Sequence, residues 1–362
     1  MIDPPLKRIR PEIRSADGYH LTRYDCPVKL NQNESPFDIP DDLKNEILAD
    51  VRRRPWFRYP QPMEMDLVEA LADFAGWRPD GLIVCNGSNT LVQLVLAVST
   101  RPGAPVVIPS PSFSLYGLYT GFFGGRVVPV DLTEEYTFDL PGIREAVRRE
   151  SANMVIFGSP NNPTGCVVSN ADLKVLLEQT DALVLVDEAY AEFSDETARD
   201  LIGEYPNLIV LKTFSKALGA AGIRIGYLMA HPEIAREVLK AKVPFDINVF
   251  SHSAALHILQ HDGLIRERVR TIRDERERVF AALREIDGVR PWPSHANFIL
   301  FEVDNPARVF NGLIERGILI RNVTSYALLE NALRVSIGRA EENTRFLNAL
   351  EETLRDSCVQ PE

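Results

Sequence analysis

Cysteine is scarce in this 362-residue chain, and the four present, Cys26, Cys85, Cys166 and Cys358, are widely scattered. No C-x-x-C pair or other ligand-like spacing occurs among them. That argues against a disulfide scaffold and a zinc site, and predicts free thiols in a reducing compartment. Positive charge is also short: 40 Lys and Arg against 51 Asp and Glu leave a net charge of −11. Such a balance excludes broad nucleic-acid binding, though a local basic pocket could still take an anion. No apolar run approaches membrane-spanning length. The opening MIDPPLKRIRPEIR is broken by prolines and charges and is unlike a signal peptide. Internal repeats and low-complexity tracts are absent as well. These absences predict a cytoplasmic protein with no membrane or nucleic-acid partner.

What is present is an ordinary globular composition, 45% apolar and 25% charged, with length enough for two domains. Prolines at 4, 5, 11, 27, 36 and 40 forbid a long helix in the first forty residues. Helices are then predicted over 41–53 and 65–75. Short apolar, β-branched runs at 82–85, 106–108, 126–130, 153–157, 182–186 and 208–211 read as strands. Helical stretches over 90–98, 114–122, 141–149 and 171–179 separate them. Strands alternating with helices, most strands ending in a polar loop, predict an open α/β sheet with a ligand crevice at the strands' carboxyl ends. Beyond about Pro244 a helical pattern runs over 252–286, and its charged RERVRTIRDERERVFAALREI reads as a solvated face with ion pairs. A smaller α+β unit follows, with strands at 297–303, 318–321 and 332–336 and helices at 307–315 and 341–354.

Three polar loops carry candidate chemistry. In Asn86-Gly87-Ser88-Asn89 a glycine turn feeds a helix, whose free N–H groups and dipole suit a phosphate dianion. Asp187, in Asp187-Glu188-Ala189-Tyr190, ends an apolar strand, so its carboxylate needs a cationic or donor partner. A cap or a buried ion pair would serve equally well there. Thr213-Phe214-Ser215-Lys216 follows another apolar strand; desolvation there lowers a lysine's pKa and frees the amine for Schiff-base chemistry. Two hydroxyls and Arg224 beside it could hold a phosphate. A lone S-K would read as a surface lysine, but S-K-A-L-G-A-A-G-I-R-I-G is far more restrictive.

The loops S-P-N-N-P-T-G (159–165), V-D-E-A-Y-A-E-F-S (186–194), F-S-K-A-L-G-A-A-G-I-R-I-G (214–226) and L-R-V-S-I-G (333–338) occur in the order of the class I/II aminotransferases, which are fold-type I pyridoxal-phosphate enzymes. With N-Q-N-E-S-P-F (31–37), R-Y-P (58–60) and I-L-I-R (318–321), the chain most resembles the histidinol-phosphate aminotransferase family, from about residue 28 to 355. The resemblance implies a large, mostly parallel sheet domain (46–250) flanked by helices. An arm (1–45) and a connecting helix with a small α+β domain (251–362) complete it. It implies pyridoxal 5′-phosphate as cofactor, with Lys216 binding it and shuttling the substrate's α-proton. Asp187 would pair with the pyridine nitrogen, while Tyr190 and Asn162 would donate to the phenolic oxygen. Phe113 would stack on the ring where many relatives have tyrosine. Gly87, Ser88, Asn89, Thr213, Ser215 and Arg224 would hold the phosphate, helped by Tyr59 from a neighbouring subunit, so a homodimer is implied. Arg334 would clamp the substrate carboxylate and Arg321 the substrate phosphate, with Asn33 and Glu34 of the arm also facing substrate.

The implied reaction is transamination between small amino acids and 2-oxo acids, with histidinol phosphate/imidazole-acetol phosphate and glutamate/2-oxoglutarate as the preferred pairs. Two stretches depart from the family pattern, and both bear on substrate. D-G-Y-H-L-T-R-Y-D-C-P-V-K stands where relatives carry an aromatic-Pro-Gly segment, leaving Tyr19 or Tyr24 as the substrate-facing aromatic. The loop N-V-T-S-Y-A-L-L-E-N (322–331) lacks the glycines often found there. An aromatic or broad-specificity aminotransferase and a lyase of the same fold, such as a threonine-phosphate decarboxylase, are the rival readings. A non-catalytic pyridoxal-phosphate-binding regulator is disfavoured by the intact lysine constellation and the lack of a DNA-binding extension.

Overall fold

The computed structural model describes residues 6–18, 22–60 and 64–358; Tyr19 and the side chain of Cys358 lie outside the described residues. The thiols of Cys26, Cys85 and Cys166 are free. A one-turn helix α1 (Pro11–Arg14) and a short strand β1 (Val28–Lys29) precede α2 (Asp41–Arg53) and α3 (Met65–Ala75). The alternating region then runs β2 (Leu82–Cys85), α4 (Ser88–Ser99), β3 (Pro105–Ser110), α5 (Ser114–Phe122), β4 (Arg126–Asp131), α6 (Leu140–Glu150) and β5 (Met154–Gly158). It continues through α7 (Asn170–Glu178), β6 (Leu183–Asp187), β7 (Leu208–Thr213), β8 (Gly226–Ala230) and α8 (Pro232–Leu239). Caps fix several helix starts: Asp139 accepts the Gly142 N–H at α6, and Ser169 accepts the Asp172 N–H at α7.

The seven strands form one sheet in the order β2-β8-β7-β6-β5-β3-β4. Six run parallel, and β8 is antiparallel to both its neighbours. Strands β2, β5, β7 and β8 are buried along their whole length because helices cover both faces. Along β7, Leu208 and Val210 enter the core on one side of the sheet, while Ile209 and Leu211 enter the other. The pattern of the sequence does not predict β8 or α8. Gly-Tyr-Leu-Met-Ala has little β-branched content, so packing between β2 and β7 makes it a strand against weak local preference.

The helical stretch over 252–286 is two helices, α9 (Val249–Leu259) and α10 (Asp262–Arg284), parted at the turn around His261. Most of α9 is buried, whereas α10 carries the expected surface ion pairs, such as Arg278–Glu275 at 2.7 Å. Arg276 is the exception on that charged face. It is buried, and its Nη1 donates to the carbonyls of Phe193 and Ala296. Next come β9 (Arg290–Pro291), β10 (Phe298–Glu302), α11 (Pro306–Glu315), β11 (Ile318–Leu319), β12 (Arg321–Asn322), β13 (Ala332–Ser336) and α12 (Ala340–Cys358). The single strand expected over 318–321 is therefore split. β11 pairs in parallel with β1 of the arm, and β12 joins the antiparallel sheet β12-β13-β10-β9. This split brings the arm and Arg321 to the mouth of the crevice above the large sheet.

Candidate active site

A cavity of about 380 Å³ opens at the carboxyl ends of the parallel strands, within the size range of small-molecule sites. Turns after β3, β5, β6 and β7 deliver Phe113, Asn162, Asp187 with Tyr190, and Ser215 with Lys216; α4 adds Ser88 and Asn89. The arm contributes residues 31–34, and β12 and β13 contribute Arg321 and Arg334. Its charged lining is Lys216, Arg224, Arg321 and Arg334 against Glu34 and Asp187. A cavity with a cationic surplus, inside a chain of net charge −11, selects anionic ligands.

One end is shaped for a phosphate. Ser88 and Asn89 occupy the first turn of α4, where backbone N–H groups have no intrahelical acceptor. Gly226 allows β8 to approach that turn, since a Cβ there would lie 2.3 Å from the Ser88 nitrogen. Gly87, at φ 83°, does the same for Arg224: a Cβ on it would come within 2.5 Å of Nη2. Thr213 Oγ1 accepts the Ser215 N–H at 3.2 Å, and Arg224 Nη1 donates to Ser215 Oγ at 3.2 Å. These contacts fix two hydroxyls and a guanidinium around one spot.

The middle of the cavity holds two groups whose proton affinities have moved toward each other. Burial, helped by Arg334, lowers the Lys216 amine to about 7. Its Nζ donates to the carbonyl of Gln32 at 2.8 Å and makes no ion pair among the described residues. Burial raises Asp187 to about 6, against the opposing help of a hydrogen bond from Tyr116 and one from the Ala189 N–H. The Tyr116 hydroxyl donates to Oδ2 at 2.9 Å and the Ala189 N–H to Oδ1 at 3.1 Å. No cation stands at ion-pair distance among the described residues.

On the arm side, Asn33 Nδ2 donates to the Tyr190 hydroxyl at 3.0 Å, and the Asn33 side chain is itself held by Ser336 at 2.9 Å. Arg334 donates to Asn162 Oδ1 and, at 2.9 Å, to the carbonyl of Asn31. Asn162 keeps its amide nitrogen for another acceptor. Arg334 lies directly opposite Arg321 in the β12–β13 register, and like charges so placed oppose each other unless an anion joins them. Glu34 is tied to Lys29 at 2.5 Å on the rim.

The family model "Aminotransferase class I and II" matches residues 27–350. The chain belongs to the class I and II aminotransferases. The histidinol-phosphate aminotransferase of Chlorobaculum tepidum is 41% identical over 351 residues, covering 97% of this chain and 99% of the relative. That of Chlorobium phaeovibrioides is 39% identical over 347 residues, covering 95% and 96%. Among solved structures, histidinol-phosphate aminotransferase from Sinorhizobium meliloti in complex with pyridoxal-5′-phosphate superposes with a TM-score of 0.87 at 26% identity, covering 97% and 98%.

The residues of this aminotransferase fit a pyridoxal phosphate. The phosphate end is cradled, a nucleophilic amine stands beside it, and a buried carboxylate without a cation awaits a protonated ring nitrogen. Among the described residues, every one expected at the site lines the cavity except Gly87, Tyr59 and Tyr24. Gly87 stands behind Arg224, and Tyr59 is 81% exposed, stacked on Phe245 at 4.8 Å outside the cavity. Tyr116 and Tyr326 line the cavity without having been foreseen. Tyr116 had one available signal: it follows Phe113 by three residues, one helical turn. Tyr24 packs edge-on against Phe310 at 5.8 Å and is absent from the lining.

Proposed function

We propose that this chain transfers the amino group between histidinol phosphate/imidazole-acetol phosphate and glutamate/2-oxoglutarate, a step of histidine biosynthesis, as a pyridoxal-5′-phosphate-dependent homodimer in the cytoplasm. The observation that carries the reading is the cavity's pairing of an un-ion-paired Lys216 with two opposed arginines, Arg321 and Arg334. Bound pyridoxal 5′-phosphate supplies an aldehyde to hold the amino group and a ring that withdraws electrons from the α-carbon. Lys216, whose amine burial brings down to about 7, is the base that takes and returns the proton at the substrate's α-carbon. Asp187 keeps a proton on the ring nitrogen, and Tyr116 and the Ala189 N–H hold the carboxylate in its ionised form. Tyr190 and Asn162 donate to the phenolic oxygen, and Phe113 packs on the ring. Ser88, Asn89, Thr213, Ser215 and Arg224 bind the phosphate, with Gly87 making room for that arginine.

Arg334 suits an α-carboxylate or other polar head, since its planar fork is already oriented by Asn162 and the Asn31 carbonyl. The Arg321 side chain makes no hydrogen bond or ion pair among the described residues and is left to bind a distal anion, with Asn33 and Glu34 closing the arm side. The domain division 1–45, 46–250 and 251–362 accords with the two sheets and the β1–β11 stitch. Dimerisation is supported by an exposed aromatic patch of Trp56, Phe57, Tyr59, Phe245 and Phe250, from which Tyr59 would reach a second copy's phosphate. Free thiols and the lack, among the described residues, of a helix able to cross a membrane accord with the cytoplasm.

The test is Arg321→Ala. Charge-assisted hydrogen bonds contribute roughly 1.5–3 kcal/mol each, so kcat/KM for histidinol phosphate should fall about ten- to a hundredfold. Phenylalanine, with no distal anion, should lose little. Unimpaired use of histidinol phosphate by the variant, or a wild-type preference for phenylalanine, would refute the substrate assignment and favour an aromatic aminotransferase.

A further inference from the structure

The end of the cavity away from the phosphate cradle is formed by β12 and the loop after it. Arg321 and Tyr326 line this cavity and also a second one of about 700 Å³, which runs between α5 and residues 12–18. The two side chains therefore stand between the reaction chamber and an outer channel. The sequence led to an expected aromatic on the arm, yet Tyr24 is engaged with Phe310 elsewhere. Apart from Phe113, Tyr116 and Tyr190, which belong to the cofactor end, the aromatic side chain lining the cavity is Tyr326.

Its setting is rigid. The Tyr326 N–H donates to the Val323 carbonyl at 3.0 Å, and the Tyr136 hydroxyl clasps the same loop through the Leu328 carbonyl at 2.8 Å. Behind it the ring is packed against a separate core of Leu132, Tyr136, Trp292, Leu300, Val323 and Leu329. In front it is half-buried and faces the cavity, and its hydroxyl has no hydrogen bond among the described residues. A ring backed by core and open on one side is a preformed platform whose ordering cost was met on folding.

We propose that Tyr326 is a specificity-determining residue: with Arg321 it forms the subsite for the amino donor's side chain. The Tyr326 ring takes a flat ring of the donor, and Arg321 takes the anion beyond it. The anion half of this subsite rests on the function proposed above; the ring half rests on Tyr326 itself. A donor without a ring, such as glutamate, gains nothing from the platform.

The experiment compares pyridoxal-phosphate-loaded wild type, Tyr326→Ala and Tyr326→Phe in single-turnover half-reactions with histidinol phosphate, phenylalanine and glutamate. Tyr326→Ala should raise the half-saturating histidinol phosphate concentration about tenfold, with the maximal rate and the glutamate reaction changed by less than about twofold. Tyr326→Phe, which keeps the ring, should stay within about threefold of wild type for all three donors. Equal losses for histidinol phosphate and glutamate would mean the residue only props its loop and would overturn the proposal. An unchanged Tyr326→Ala, or a Tyr326→Phe as impaired as the alanine variant, would also overturn it. If wild type prefers phenylalanine, the phosphate assignment fails alone. The ring subsite then stands if Tyr326→Ala weakens phenylalanine about tenfold relative to glutamate, and falls if it does not.

Discussion

Two lysine–carboxylate sets lie side by side at the ends of β6 and β7, and they are electrostatic opposites. Glu188 is 1% exposed at its side chain and meets Lys212 at 2.9 Å, with Glu192 at 3.1 Å from the same amine. Thr197 and the Ala198 N–H complete the shell around Glu188. Burial alone would lower the Lys212 amine, but Glu188 and Glu192 more than reverse it and hold the proton firmly. One residue before Glu188 and four after Lys212, Asp187 and Lys216 make no ion pair with each other; burial raises the acid to about 6 and lowers the amine to about 7. Each set places a lysine and a carboxylate where burial penalises their charged forms. The difference is whether the partners are already in place, and the set left unsatisfied by the fold is the one that faces the cavity.

The strongest way to break this contrast is Lys216→Ala. Turnover should fall by roughly 10⁴-fold or more, while circular dichroism and thermal melting show a folded protein able to bind pyridoxal phosphate noncovalently. Wild-type turnover in the variant would assign the amine elsewhere.

Lys212→Met tests the other set. It strands Glu188 in a buried position, and removing one partner of a buried pair costs about 3–5 kcal/mol. Urea denaturation should record that loss; a change under about 1 kcal/mol would mean the cluster behaves as a surface pair.

Asp187→Asn sharpens the comparison because it should move activity and stability in opposite directions. Loss of the anionic partner of the ring nitrogen should lower kcat by roughly 10²–10³-fold. In the cofactor-free protein the sign runs the other way. The folded-state value near 6 lies above the ordinary 3.8, so the folded state holds this proton more tightly. Stability therefore falls as pH rises from about 4 to 6 and stays lowered above that. The asparagine removes this penalty, raising stability at pH 7 by on the order of 3 kcal/mol. Melting curves of both proteins at pH 4 to 7 would reveal it, and a variant less stable than wild type at pH 7 would contradict it.

The smallest expected effect is that of Tyr116→Phe, which removes one of the two hydrogen bonds on the Asp187 carboxylate. Pyridoxal phosphate affinity and kcat/KM should each drop about five- to tenfold, with little change in melting temperature. Unchanged affinity would mean the phenol is merely packed there.

The legibility of these parts differed for physical reasons. Lys216 stood out because the hydroxyls before it and the glycines and arginine after it are chain-local and have few other uses in that order. The parallel strands were readable as continuous apolar runs, since burial on both faces erases alternation. Strand β8 was not, because its place in the sheet is a tertiary decision imposed by β2 and β7. Lys212 gave no sign of burial: its partners, Glu188 and Glu192, come from another segment. Tyr116 is one of two tyrosines in S-L-Y-G-L-Y, and it is the fold that sets it beside Asp187. Tyr326 sits in a loop whose conformation depends on Tyr136 and Trp292, distant in the chain.

The central claim is that the unpaired amine, and not its ion-paired neighbour, carries the cofactor. Borohydride reduction of the pyridoxal-phosphate-loaded protein at pH 7.5, followed by digestion and peptide mass mapping, tests it directly. The account predicts a single pyridoxyl group, on Lys216, with Lys212 unmodified. A pyridoxyl group on Lys212, or one spread over surface lysines with Lys216 free, would contradict it.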